Sequence, residues 1–202
     1  MIESILLAFE SILRSLLHQH FLLFSAFVFI LITIETGIVF IPFLPGDSLL
    51  FLTGTLISPL GFAPLFFIIA IVSSAAILGD TINYFIGKFI GFEILKHRWV
   101  KKHYVSSTHK FYDKYGNKVI FLGRFIPVAR SFAPFLAGTG RMNFRTFLIY
   151  NILGGIIWVT LFITLGYFFG NLPFIQQNLS KIILLIVIIS AIPLLKYLKK
   201  SS

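Results

Sequence analysis

At 202 residues, 57% of them hydrophobic and only 12% charged, with a mean hydropathy of +0.95, the chain is too apolar for a soluble domain of its size and reads as an integral membrane protein. It contains no cysteine, which excludes disulfides, thiol catalysis and thiolate metal sites. The formal charge of +10 comes from 17 Lys and Arg against seven acids; these cations follow the loops, as orientation signals do, whereas nucleic-acid binding requires a folded basic surface.

In chain order, residues 1–17 (MIESILLAFESILRSLL) begin with acids where a signal peptide carries its positive region, so the segment is expected to be retained. Ile2, Ile5, Leu6, Phe9, Ile12, Leu13, Leu16 and Leu17 recur at helical spacing opposite Glu3, Glu10, Ser11 and Arg14. That pattern predicts an amphipathic helix lying along the membrane surface.

Residues 21–57 hold the most unusual stretch, ETGIVFIPFLPGDSLLFLTG, with Glu35, Asp47, Pro42 and Pro45 inside an otherwise apolar run. Acids at membrane depth face a protein interior or a wet cavity, and prolines break helices there only where protein covers the freed backbone. The spacing predicts a re-entrant hairpin: a helix in to about Phe40, a turn at Pro45-Gly46-Asp47, and a helix out to about Ile57. A proline-kinked spanning helix with Asp47 at an interface is the alternative.

After Ser58-Pro59-Leu60-Gly61, a transmembrane helix is predicted over 62–90, with Asp80, Asn83 and Gly87 on one face, as packing and hydrogen bonding between membrane helices require. Residues 92–118 form a basic connector whose cations alternate with Trp99, Tyr104, Phe111, Tyr112 and Tyr115, the composition of a segment at cytoplasmic lipid headgroups. Residues 119–140 then repeat the first pattern in the opposite charge, broken by Pro127 and Pro134 and carrying Arg124 and Arg130. Setting IPFLPGDSLLFLTG beside FIPVARSFAPFLAG aligns Phe51 with Phe135, Leu52 with Leu136 and Gly54 with Gly138. The spans that follow, 62–90 and 143–170, close on GKFIG and GYFFG.

A hairpin that returns to its own side plus one crossing moves each repeat across the membrane once, so the second copy is inverted. The expected fold class is an all-α membrane protein: an inverted repeat of two re-entrant hairpins, each followed by a transmembrane helix. An N-terminal amphipathic helix and a last transmembrane helix over 175–195 flank it, in one polytopic domain, 1–202. The connector, the Arg141/Arg145 corner and the C-terminal lysines all fall on the cytoplasmic side of this scheme.

Opposite charges in opposing hairpins invite pairing, because either sign alone in a low dielectric costs several kcal/mol. Arg124 and Arg130 match an anionic phosphate as bidentate donors, and Glu35 and Asp47 can take up protons and so release or admit an arginine. Asp80, Asn83, Pro45, Gly46 and Pro127 are read as supporting residues. A permanently paired cluster that only fixes geometry is the competing reading. Ser48, Ser131 and the five histidines lack a nucleophile-base framing, and His18-x-His20 is at best a weak metal signal, so no enzyme activity, metal or cofactor is expected.

The strings ETGIVFIPFLPGDSLLFLTG, GDTINYFIGKFIG and GRFIPVARSFAPFLAGTGRMNFRTFLIYNILGGIIWV together resemble the diagnostic motifs of the DedA family, whose shared region is also called the SNARE-associated or VTT domain. The resemblance covers about Glu35 to Asn178. It implies a bacterial inner-membrane protein with two opposed re-entrant hairpins, and members implicated in recycling undecaprenyl phosphate, in phospholipid movement and in maintaining the proton-motive force. It also implies that the family's functional acids correspond to Glu35 and Asp47 and its arginines to Arg124 and Arg130. The expected function is thus a flippase for a phosphate-headed lipid coupled to protons. The alternatives are a proton-coupled exchanger of ions or small solutes, a phospholipid scramblase, and a non-transporting scaffold; a homo-oligomer is compatible with each.

Overall fold

The computed structural model describes residues 2–38, 46–96, 116–170, 172, 173 and 175, and among these the secondary structure is entirely helical. The elements are α1 (Ile2–Gln19), α2 (Phe21–Gly37), α3 (Gly46–Ile57), a 3-10 turn (Ser58–Leu60), α4 (Phe62–Lys96), a second 3-10 turn (Gly116–Lys118), α5 (Val119–Gly123), α6 (Pro127–Thr139) and α7 (Phe144–Phe169). Two stretches, Phe62–Ile90 within α4 and Phe144–Phe169, are long and apolar enough to cross a membrane. At 1.5 Å per residue the shorter spans about 39 Å, more than the roughly 30 Å of a hydrocarbon core.

Local chemistry sets the boundaries. Gly61 sits at φ 87, in the left-handed region that favours glycine, and turns the chain into α4. Pro127 occupies the first turn of α6, where its missing N–H costs nothing. The Asn143 side chain caps α7 by accepting from the amides of Arg145 (2.9 Å) and Thr146 (3.4 Å).

Some boundaries differ from expectation. Helix α2 stops at Gly37, three residues short of Phe40, and Ile38 is extended, because a glycine followed by β-branched residues is a poor place to propagate a helix. Helix α4 continues past Ile90 into the connector stretch as far as Lys96. Pro134 does not break its segment: α6 is continuous through it, forgoing only the bond that an N–H at that position would give to the Arg130 carbonyl. In α1, Leu13 is fully buried and Leu16 and Leu17 pack on the core, but Ile12, expected on the same face, is exposed. The predicted turn residues Pro42 and Pro45, most of the connector (97–115) and most of the last helix (176–195) lie outside the described residues.

The bundle is held by matched helix crossings, α3 on α7 and α6 on α4. Gly54 lies so close to α7 that a Cβ there would run into the Ile163 carbonyl, and Gly166 faces the Phe51 carbonyl in return. At the other crossing Gly138 lies on the Tyr84 carbonyl, and Gly87 faces that of Phe135. Thr55 Oγ1 donates to Phe51 O (3.0 Å) or Gly166 O (3.2 Å), and Thr139 Oγ1 to Phe135 O (3.0 Å) or Gly87 O (3.2 Å). Close approach at small residues with a hydroxyl reaching across is how helices associate where lipid removes the hydrophobic drive between them. A third close contact joins Gly37 of α2 to Gly79 of α4.

The polarity of the bundle is inverted relative to a soluble protein. Phe66, Phe89, Ile149 and Phe168 are largely exposed on the outer faces of α4 and α7, while Glu35, Asp80, Asn83, Arg124, Arg130 and Asn151 are buried. Such a surface is stable against hydrocarbon rather than water.

Candidate functional site

Helices α2, α3, α4, α6 and α7 converge on two buried arginines, and each arginine gathers its own partners. Arg130, in the first turns of α6, donates through Nη1 to Asp47 Oδ1 of α3 (2.9 Å) and through Nη2 to Glu35 Oε1 of α2. Trp158 of α7 completes this centre: its Nε1 donates to the same Asp47 oxygen (2.9 Å), and its ring lies 4.8 Å from Arg130 Cζ. The indole thus fixes the acid and covers the cation at once. Gly46 makes room for the carboxylate of Glu35, since a Cβ at that position would stand 2.7 Å from Oε2.

Arg124 lies in the turn between α5 and α6 and reaches the opposite way. Its Nη2 is 2.6 Å from Asp80 Oδ2 of α4 and also donates to Asn151 Oδ1 of α7. Gly154 and Gly155 make the bed for this side chain, with the position of a Cβ on Gly154 only 2.9 Å from Arg124 Cδ. Asn151 Nδ2 donates to Ile77 O (3.0 Å) and Thr81 Oγ1 (3.3 Å), tying α7 to α4. Asn83 Nδ2 reaches Ser131 O (2.8 Å) and Thr36 O (3.3 Å), the residues that follow Arg130 and Glu35, and so fastens the two acid–arginine arms together.

Of the residues singled out in the sequence, Glu35, Asp47 and Arg130 form one contact set, and Arg124 instead takes Asp80 of the first long helix. Asp80, Asn83 and Gly87 all point inward, the first two into the cluster and the third onto α6. Pro127 marks the start of α6, and Pro45 lies outside the described residues. Asn151 and Trp158 were not anticipated. They share a face of α7 with Gly154 and Gly155, at steps of three, four and seven, and a lone amide in an apolar span was the available signal.

The cluster carries unspent polarity. Glu35 Oε2, Asp80 Oδ1, Asn83 Oδ1 and Arg124 Nε and Nη1 are buried without a hydrogen-bond partner. Three acids face two arginines, a net charge of −1 when all are ionised, so one proton brings the cluster to neutrality. No group of His, Cys, Asp and Glu suited to a metal ion occurs among the described residues.

The weight of Trp158 is directly measurable. Trp158→Phe keeps a ring over Arg130 and deletes the donor to Asp47; a hydrogen bond to a charged group contributes about 1.5–3 kcal/mol, so thermal melting in detergent is expected to show a loss of that order. Trp158→Ala is expected to cost more, since it also uncovers the cation and leaves a cavity.

An apolar exterior around a buried acid–arginine cluster defines a membrane protein, helical throughout its described residues, with a buried polar site. The VTT domain model matches residues 44–168. The chain is 42% identical to Protein DedA of Escherichia coli K12 over 172 residues, covering 83% of this chain and 78% of DedA. It is 43% identical to an uncharacterized membrane protein of Mycobacterium tuberculosis over 172 residues (83% and 75%). It is 32% identical to the inner membrane protein YqjA of E. coli K12 over 171 residues (80% and 76%). No solved structure matches. The chain therefore belongs to the DedA family of VTT-domain membrane proteins.

Proposed function

We propose that this protein moves a phosphate-headed lipid across a bacterial inner membrane in exchange for, or together with, protons, and that undecaprenyl phosphate is the substrate. The observation that carries this reading is the pairing of Arg130 with Glu35 and Asp47 beside an Arg124 that keeps buried donors in reserve. Guanidinium groups are the side chains best shaped to take a phosphate, and at present each is held by carboxylates that a phosphate would replace. Adding an anion to a cluster already at −1 is unfavourable. Protonation of Glu35 or Asp47 cancels that charge and releases Arg130, so proton entry and headgroup binding become linked events. The isoprenoid tail stays in lipid while the headgroup crosses through the cluster. The resemblance set out above nominates the substrate.

The same reading takes α2–α3 and α5–α6 as two re-entrant hairpins of an inverted repeat. The matched crossings support this, because Gly54, Thr55 and Gly166 play the parts of Gly138, Thr139 and Gly87, residue for residue in the alignment above. The basic connector and the C-terminus then lie on the cytoplasmic side.

Two measurements test the proposal. Lipid co-purifying with the wild type is identified by mass spectrometry, and undecaprenyl phosphate is expected to be lost from the Arg124→Gln/Arg130→Gln double variant. In proteoliposomes, lipid transport by the wild type is expected to respond to a pH gradient, and Glu35→Gln, whose amide oxygen still accepts from Arg130, is expected to make transport insensitive to it. Solute flux persisting with no lipid movement would instead identify an exchanger.

A further inference from the structure

At one end of the α4–α6 crossing, outside the acid–arginine cluster, lies a cavity of about 520 Å³, within the size range of small-ligand sites. Lys88 of α4 and Arg141 of the α6–α7 corner line it together with Asn143, Tyr84, Phe89 and Phe144. Both cations are exposed, neither has an acidic partner among the described residues, and the lining contains no acid. The walls are firm. Tyr84 Oη donates to the Met142 carbonyl (2.6 Å), fastening the corner to α4, and its ring stacks on Phe147 at 4.5 Å and meets Phe144 at 5.6 Å. Lys88 Nζ rides about 6 Å above the Phe85 and Phe89 rings (6.0 and 5.9 Å), which hold it at the rim.

Packing does not account for these cations. In the matching α3–α7 crossing, the positions equivalent to Lys88, Phe89, Arg141 and Asn143 are Tyr167, Phe168, Ile57 and Pro59, and the helices approach just as closely without charge. Arg141 also sits at φ 54, the only non-glycine residue in the left-handed region among those described. Glycine is the inexpensive choice there, and a strained side chain persists where something other than the backbone requires it.

We infer that this cavity binds the phosphate of an anionic phospholipid headgroup, with Lys88 and Arg141 as its cationic donors and the Phe89–Phe144 wall against the glycerol and upper acyl chain. The Asn143 side chain is already engaged with the first amides of α7, so the charge comes from the two side chains rather than the helix end. The site is separate from the Arg124/Arg130 cluster and stands whether or not that cluster carries lipid.

Native mass spectrometry of the purified full-length protein, titrated with phosphatidylglycerol and with phosphatidylcholine, tests it. The wild type is expected to prefer phosphatidylglycerol by about tenfold or more. Lys88→Gln is expected to weaken that binding about fivefold, and Lys88→Gln/Arg141→Gly roughly thirtyfold, the contribution of one and of two cations near a membrane surface. Glycine at position 141 relieves the backbone, so the double variant is expected to melt no more than a few degrees below the wild type, which separates ligand loss from unfolding. Arg145→Gln, removing an exposed cation of the same corner that does not line the cavity, is expected to change binding less than twofold. Equal losses in Arg145→Gln and the double variant, or no loss in the double variant, would overturn the site. Inorganic phosphate is added as competitor: failure to displace the lipid assigns the site to a headgroup, and full displacement assigns it to a soluble phosphate. Phosphatidylglycerol binding that survives in the Arg124→Gln/Arg130→Gln variant keeps this site distinct from the central one.

Discussion

Arg130→Ala is expected to abolish lipid transport in proteoliposomes and to destabilise the purified protein by about 3–5 kcal/mol, the cost of leaving buried charges without their counter-ion. The physical reason lies in what remains. Glu35 and Asp47 come from different helices and are brought within reach of one guanidinium; without it two carboxylates face each other beneath Trp158 with nothing to offset their repulsion or their lost hydration. Arg130→Lys is expected to restore little of either property, because one ammonium reproduces neither the two-pronged contact nor the seat of a planar guanidinium over the indole. Stability and transport separate in a triple variant, Glu35→Gln/Asp47→Asn/Arg130→Met, which removes all three charges while keeping their volume. Its melting midpoint is expected to return close to that of the wild type, since buried ion pairs replaced together by uncharged groups cost little, whereas transport stays absent. Wild-type transport in the triple variant would reduce the cluster to a staple of the fold and end the transport proposal.

Gly54→Ala and Gly138→Ala are each expected to destabilise the bundle by about 1–3 kcal/mol or more, the range for forcing a methyl into a packed core. In both cases the new methyl meets a main-chain carbonyl, Ile163 or Tyr84, and not the end of a side chain that can swing away, so the helix axes themselves must part. The equivalence of the crossings makes the two effects similar in size. Gly138 lies two turns beyond Arg130 on α6 and Gly54 two turns beyond Asp47 on α3, so each displacement also reaches the cluster, and transport is expected to fall in both variants. Gly123→Ala serves as the control, because its Cβ would sit 3.3 Å from the Ala133 methyl and 3.5 Å from the Ala129 carbonyl oxygen, at or near ordinary contact, and it is expected to cost less than either. Melting of the three variants in one detergent decides the ranking.

Much of the architecture is legible in the amino-acid sequence. Apolar run length located both long helices to within a residue of their observed starts, because Pro59-Gly61 and Asn143 end or begin helices through local backbone chemistry. The pairing of Gly54 with Gly138, and of GKFIG with GYFFG, was visible as an alignment of small residues. Less readable was Pro134, which looks like a breaker and is carried inside α6, since one missing hydrogen bond is tolerated where a helix is packed against a neighbour.

The candidate site divides along the same line. Ionisable residues stranded in apolar sequence announce themselves, because their desolvation cost is a property of composition, and so Glu35, Asp47, Asp80, Arg124 and Arg130 were each identifiable from the chain alone. Which acid meets which arginine was not, since partners on different helices, 83 and 95 residues away for Arg130, are chosen by how the helices cross, and the crossings are chosen by glycines that admit a neighbouring backbone. Trp158 and Asn151 are the clearest case: an indole and an amide have good reasons to sit anywhere in a membrane helix, and only the closure of α7 onto α3 and α4 turns them into the groups that hold Asp47 and Arg124 in place. Sequence alone therefore determined the solvent this protein lives in and the charges it buries at a cost, and the tertiary structure decided how those charges are shared.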